Sequence, residues 1–156
     1  MIKIIISIVL LIIALVTGRM LFLSITSKVP DVNLQNGVLR PCPQTPNCIS
    51  SEDDESLYKI EPLVFDSSSE QAWNDLKAAI VMTGGKVRQS SETYLWATYT
   101  TTVFRFVDDM EFRLLPEKKK IHVRSGSRVG HSDLGVNRKN VERLRKQFDI
   151  IRASTQ

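Results

Sequence analysis

Tyr94-Leu95-Trp96-Ala97-Thr98-Tyr99-Thr100 is crowded with aromatic and β-branched side chains, which suit a pleated, half-buried surface. Beyond it, Met110, Phe112 and Leu114 alternate with Glu111 and Arg113. Further on, Ile121 and Val123 alternate with Lys120, His122 and Arg124. This period of two marks strands. Val103 to Val107 reads as a further short strand, and so does Lys86 to Ser90. Asp108-Asp109 and Pro116-Glu117-Lys118 read as turns. Strands this close in sequence pair only as antiparallel neighbours, because parallel ones need long crossovers.

Two helices flank these runs. Ser67-Ser68-Ser69-Glu70 has capping-box spacing, Ala72, Trp73, Leu76, Ala79 and Ile80 share one helical face, and Gly84-Gly85 ends the helix. From about Asn137, Val141, Leu144, Phe148 and Ile151 make one apolar stripe, with Arg138, Lys139, Arg143, Arg145 and Lys146 mostly outside it. Tyr58 to Phe65 reads as strand, with Pro62 marking an edge strand or a bulge. The expected fold is an α+β domain over residues 57–154 in the order β-α-β-β-β-β-α. It carries a curved antiparallel sheet with both helices on one face.

The N-terminal 25 residues are of another kind. Lys3 precedes an apolar run to Val16, then come Thr17-Gly18-Arg19 and a second apolar patch, Met20 to Leu23. About 20 residues are enough to cross a bilayer. A secretory signal ending near Gly18 is the alternative. The second patch favours an uncleaved anchor, so residues 4–25 are expected to engage the membrane. Residues 26–56 read as a linker and a Cys/Pro-rich loop. Its Cys42 and Cys48 follow an export-type segment and are expected to form one disulfide, shaping a local turn. Two thiols without a nearby histidine make half a zinc site at most, and no metal or cofactor is expected. Lys3 on one side and Arg19 and Lys28 on the other nearly cancel as topology signals. The cysteine pair favours a soluble domain outside the cytoplasm, on the periplasmic side of the inner membrane in a Gram-negative cell. Ser51 to Ser56 reads as a solvated acidic loop.

Charge is uneven along the chain. Residues 29–117 carry 7 basic and 14 acidic side chains, whereas residues 118–152 carry 11 and 3. An acidic front and a basic back suit either a dipolar surface or an end that faces anions.

Several ordered motifs carry a resemblance. Arg40-Pro41-Cys42-Pro43, Pro46-Asn47-Cys48-Ile49-Ser50, Phe104-Arg105-Phe106-Val107-Asp108-Asp109, Val123-Arg124-Ser125, Ser127-Arg128-Val129-Gly130 and Ser132 to Arg138 together span residues 40 to about 145. By these the chain resembles the domain-of-unknown-function family fourteen ninety-nine, found in bacteria and plastid-bearing eukaryotes. The resemblance implies the domain's identity and no activity.

Function is sought in Arg124 to Arg138, which holds three arginines, three serines and three glycines between a strand and the last helix. As an anion site, Arg124, Ser125, Ser127, Arg128, Ser132, Asp133, Asn137 and Arg138 would converge on a phosphate or carboxylate beside helix N-terminal amides. As an internal network, Asp133 would pair with Arg128 or Arg124 and Asn137 would cap the helix. A Ser-His-Asp set from Ser132, His131 and Asp133 is disfavoured, since sequence neighbours rarely meet in that geometry. The expected function is a non-catalytic binding or envelope-assembly module, with an anionic ligand or an envelope protein as partner. One alternative is a hydrolase or transferase on an anionic envelope substrate, with a deep pocket of Arg124, Ser127, Arg128 and Asp133. The other is a cytosolic binder of nucleic acid or acidic lipid through the basic last helix. Nucleic acid is not the expected partner.

Overall fold

The computed structural model describes residues 1–155. Helix α1 covers Ile2–Ile25 and is long and apolar enough to cross a membrane. Two short strands follow, β1 (Cys48–Ser50) and β2 (Leu63–Val64), then α2 (Ser69–Met82). Strands β3 (Lys86–Ser90), β4 (Tyr94–Thr100), β5 (Val107–Leu115) and β6 (Lys120–Ser127) lead to α3 (Val136–Thr155). All strand pairs are antiparallel, in the order β1-β6-β5-β4-β3, with β2 also paired to β6.

The α2 helix starts where Ser68 Oγ accepts from the Gln71 amide at 3.1 Å and stops before Gly84, at φ +86°. Its Leu76, Ala79 and Ile80 meet Val141, Leu144 and Phe148 of α3 in one core, over Leu95, Ala97, Met110, Phe112, Ile121 and Val123 of the sheet. These sheet residues alternate along their strands and define the face under the helices. The other face carries Tyr94, Trp96, Asp109, Glu111, Arg113, His122, Arg124 and Gly126.

The expected curved sheet is not what forms. The sheet is open and uncurled, with β3 at one edge and β1 and β2 sharing the other. Curvature needs bulges or kinks in the central strands. The β4–β5 and β5–β6 registers run unbroken, and the one shift, between Val87 and Gln89, lies in the edge pair β3–β4.

Three local readings also change. Val103 to Phe106 is loop rather than strand: Arg105 sits at φ +55°, and the amides of Thr101 and Phe106 close a turn on Phe106 O and Thr101 Oγ1. Asp108 and Asp109 are no turn but buried residues of β5. The segment through Cys48 to Ser50 supplies a strand, its three residues paired to Gly126, Ser125 and Arg124.

Candidate functional site

The sheet face away from the helices is polar and buried, which forces its charges to pair. Glu111 is wholly buried and its Oε2 accepts from Arg40 Nη2 at 2.8 Å and from Arg124 Nη1 at 3.2 Å. Its Oε1 accepts from the Tyr94 hydroxyl at 2.9 Å. Burial and then the Glu111 charge push the Tyr94 phenol above its ordinary range, so it remains a neutral donor. Burial, then the neighbouring Arg40, lowers Arg124 from the usual arginine value. Next along β5, Asp109 receives both prongs of Arg128, at 2.8 and 2.9 Å, and the Trp96 indole N–H at 2.8 Å. The hydrogen bonds that Arg128 donates to Asp109 raise it and hold it charged.

A cleft of about 390 Å³ opens over these pairs. Lys28, Arg40, Arg124 and Arg128 line it, together with Asp109, Ser127 and the Cys42–Cys48 disulfide. The disulfide ties Cys42 to Cys48, whose strand β1 pairs with β6. Gly126 lines the cleft floor, where a Cβ would stand at ordinary contact distance, 3.4 Å from Arg124 Nη1 and 3.5 Å from Cys48. Arg124 Nε, in a side chain 7% exposed, has no hydrogen-bond partner.

The residues singled out between Arg124 and Arg138 fall into separate places. Arg124, Ser127 and Arg128 line the cleft. Ser125 and Asn137 are fully buried beneath it: Asn137 Nδ2 donates to Asn47 O at 3.0 Å, Ser127 Oγ at 3.0 Å and Asp133 Oδ2 at 2.8 Å. Its Oδ1 accepts from Ser125 Oγ. Asp133 caps α3, accepting from the Asn137 amide at 2.7 Å and the Gly135 amide at 3.0 Å. Ser132 Oγ accepts from the Leu134 amide at 3.3 Å. Arg138 donates to the Lys59 carbonyl at 2.9 Å. Asp133 is not at the cleft, so the pocket of Arg124, Ser127, Arg128 and Asp133 is not assembled.

Other members were not flagged by sequence. Lys28 and Arg40 sit in the linker, and Glu111 and Asp109 passed as an alternating polar residue and a turn. Asp109, Glu111 and Arg124 share one sheet face only once β5 and β6 are neighbours, and Lys28 and Arg40 reach the cleft from the linker. Asp108, on the helix side, accepts from Ser127 Oγ, and burial raises its carboxyl to about 6. The acidic loop is not wholly solvated either: Glu52 pairs with Arg113 and accepts from the Leu39 amide at 2.6 Å. His122, held low by burial, shares a 3.0 Å hydrogen bond with Ser51 Oγ.

Among the described residues no group of three or more His, Cys, Asp or Glu side chains is placed to hold a metal ion. Fold and site together define an α+β domain behind an apolar helix, with a cationic cleft beside a disulfide. The chain belongs to the family described as "Protein of unknown function (DUF1499)", which matches residues 38–148. No curated protein and no solved structure matches it.

Proposed function

We propose that the chain is a membrane-anchored, extracytoplasmic binding module that takes an anionic group, a phosphate or carboxylate, into the cleft between the lead-in segment and β6. It acts in envelope binding or assembly without catalysis of its own. The observation that carries this reading is charge. Four cations, Lys28, Arg40, Arg124 and Arg128, line a cleft whose carboxylates, Asp109 and the underlying Glu111, neutralise only two of them. The buried, unpartnered Nε of Arg124 adds a donor in want of an acceptor. Of the residues expected to bind, Arg124 and Arg128 would do so, joined by Lys28 and Arg40, while Ser127, its hydroxyl held by Asp108 and Asn137, only lines the wall. Ser125, Ser132, Asp133, Asn137 and Arg138 would hold the loop and helix that present them. The disulfide supports an oxidising location.

The test is titration of the full chain in detergent with inorganic phosphate at fixed ionic strength. Lys28→Gln alters an exposed side chain and should leave the melting temperature unchanged. Its phosphate affinity should fall about tenfold, equivalent to about 1.4 kcal/mol for one charged contact. Arg128→Ala should lose both affinity and stability, since Asp109 loses its partner. Wild-type binding of phosphate in both variants would sink the reading, as would no binding by the wild type at millimolar phosphate.

A further inference from the structure

One end of the sheet gathers exposed apolar side chains. β4 ends, β5 begins and β6 ends there, through the pairs Thr100↔Val107 and Asp108↔Ser127, so loops 101–106 and 128–135 lie side by side. Val103 is 76% exposed in the middle of one and Leu134 87% exposed in the other, just before α3. Leu134 also holds φ +54°, a left-handed conformation that a leucine adopts only at a cost. An exposed leucine on strained backbone gives the fold nothing in water.

Helix α1 arrives at this same end. Ser24 Oγ donates to Arg105 O at 2.7 Å, while residues 2–16 are exposed along their whole length. Between α1 and the two loops lies a cleft of about 380 Å³, walled by Met20 and Leu23 of α1 and by Phe106, Val129, Leu134 and Val136. The run Ile4 to Leu23 rises about 30 Å as a helix, the thickness of the hydrocarbon core. A wall made of Met20 and Leu23 therefore stands at the edge of that core and opens onto lipid.

We infer that this end of the domain beds into the membrane interface beside its own anchor, and that the cleft takes the acyl chain of a lipid of that leaflet. Val103 and Leu134 enter the interface on either side, as the apolar face of an interfacial segment does. This rests on α1 crossing the membrane, and it is independent of the cationic cleft.

The test uses the full chain in phosphatidylcholine–phosphatidylglycerol vesicles whose acyl chains carry bromine, a contact quencher of bimane. Both native cysteines are bridged, so each added cysteine is the single labelling site. Leu134→Cys samples the loop just before α3, and Val129→Cys and Met20→Cys sample the two cleft walls. Leu11→Cys reports the anchor, and Glu117→Cys marks the opposite end of β5, roughly 30 Å away. Bimane at positions 11, 20, 129 and 134 should be quenched relative to unbrominated vesicles, position 11 as a group in mid-span and positions 20, 129 and 134 as groups within about 5–10 Å of the headgroup boundary. Position 117 should lose none. Quenching at 11 with none at 129 overturns the inference and leaves the anchor standing, whether the cleft is then empty or filled by a protein partner. No quenching at 11 overturns both.

Discussion

Replacing Glu111 with Gln would remove one negative charge and little else. Gln keeps the shape and an acceptor for the Tyr94 hydroxyl, so the change isolates the ion pairing with Arg40 and Arg124. The two cations do not suffer equally. The Arg40 side chain is 16% exposed and can turn toward water, whereas that of Arg124 is 7% exposed and already has one unpartnered N–H. Stranding a buried charge by removing its partner costs about 3–5 kcal/mol, and the partial freedom of Arg40 puts Glu111→Gln near 3 kcal/mol. For a domain of this size that is roughly 12–24 °C in Tm. Thermal unfolding of the full chain in detergent at pH 7.5, followed by tryptophan fluorescence, would read it. Trp96, hydrogen-bonded to Asp109 of the same face, is a local reporter. A second substitution decides the cause. Arg124→Met in the Glu111→Gln background removes the stranded cation and should recover about 2 kcal/mol, because an apolar replacement of a buried pair is often neutral. A loss below about 1 kcal/mol for Glu111→Gln would refute the reasoning. So would an Arg124→Met change that adds to the damage instead of relieving it.

Two more predictions concern the helix side of the loop. Asp108 has a carboxyl raised by burial to about 6 from an ordinary value of 3.8, so the folded state holds a proton the unfolded chain gives up. Stability is then highest at low pH and falls as pH rises from about 4 to about 6, by up to about 3 kcal/mol. Asp108→Asn, which keeps an acceptor for Ser127 Oγ, should exceed the wild type by that margin at pH 7.5 and converge with it near pH 4. The difference between the two unfolding curves also removes the opposite contribution of His122, whose depressed value makes the fold lose stability as pH falls below about 6.5. A gap that is constant with pH would count against the buried proton. Asn137→Ala leaves the buried Ser125 hydroxyl without its acceptor and takes one of two donors from the Asn47 carbonyl, which keeps the Ser127 amide, and urea unfolding should register a loss of about 2–4 kcal/mol. A loss within about 0.5 kcal/mol, typical of surface positions, would show that the network is not holding the loop.

Alternation along Tyr94 to Thr100, Met110 to Leu114 and Ile121 to Arg124 was enough to locate β4, β5 and β6, and the apolar stripes located α2 and α3, because periodicity is a local property of the chain. The length of the N-terminal apolar run likewise set a helix able to cross a bilayer. The loop from Arg124 to Arg138 could be picked out by composition, but its internal pairing could not: Asp133 and not Asn137 caps α3, and Arg124 and Arg128 pair with Glu111 and Asp109 rather than with Asp133. The rest depended on which segments meet. Arg40 reaches Glu111 across 71 positions and Glu52 reaches Arg113 across 61. No local pattern records such a pairing, so Lys28 and Arg40 looked like linker and Asp109 like a turn. The open sheet is decided the same way, by registers that run unbroken between neighbouring strands. A strand's own residues specify its two faces, but which charges share a face, and where a cleft opens above them, follow from the neighbours that tertiary folding supplies.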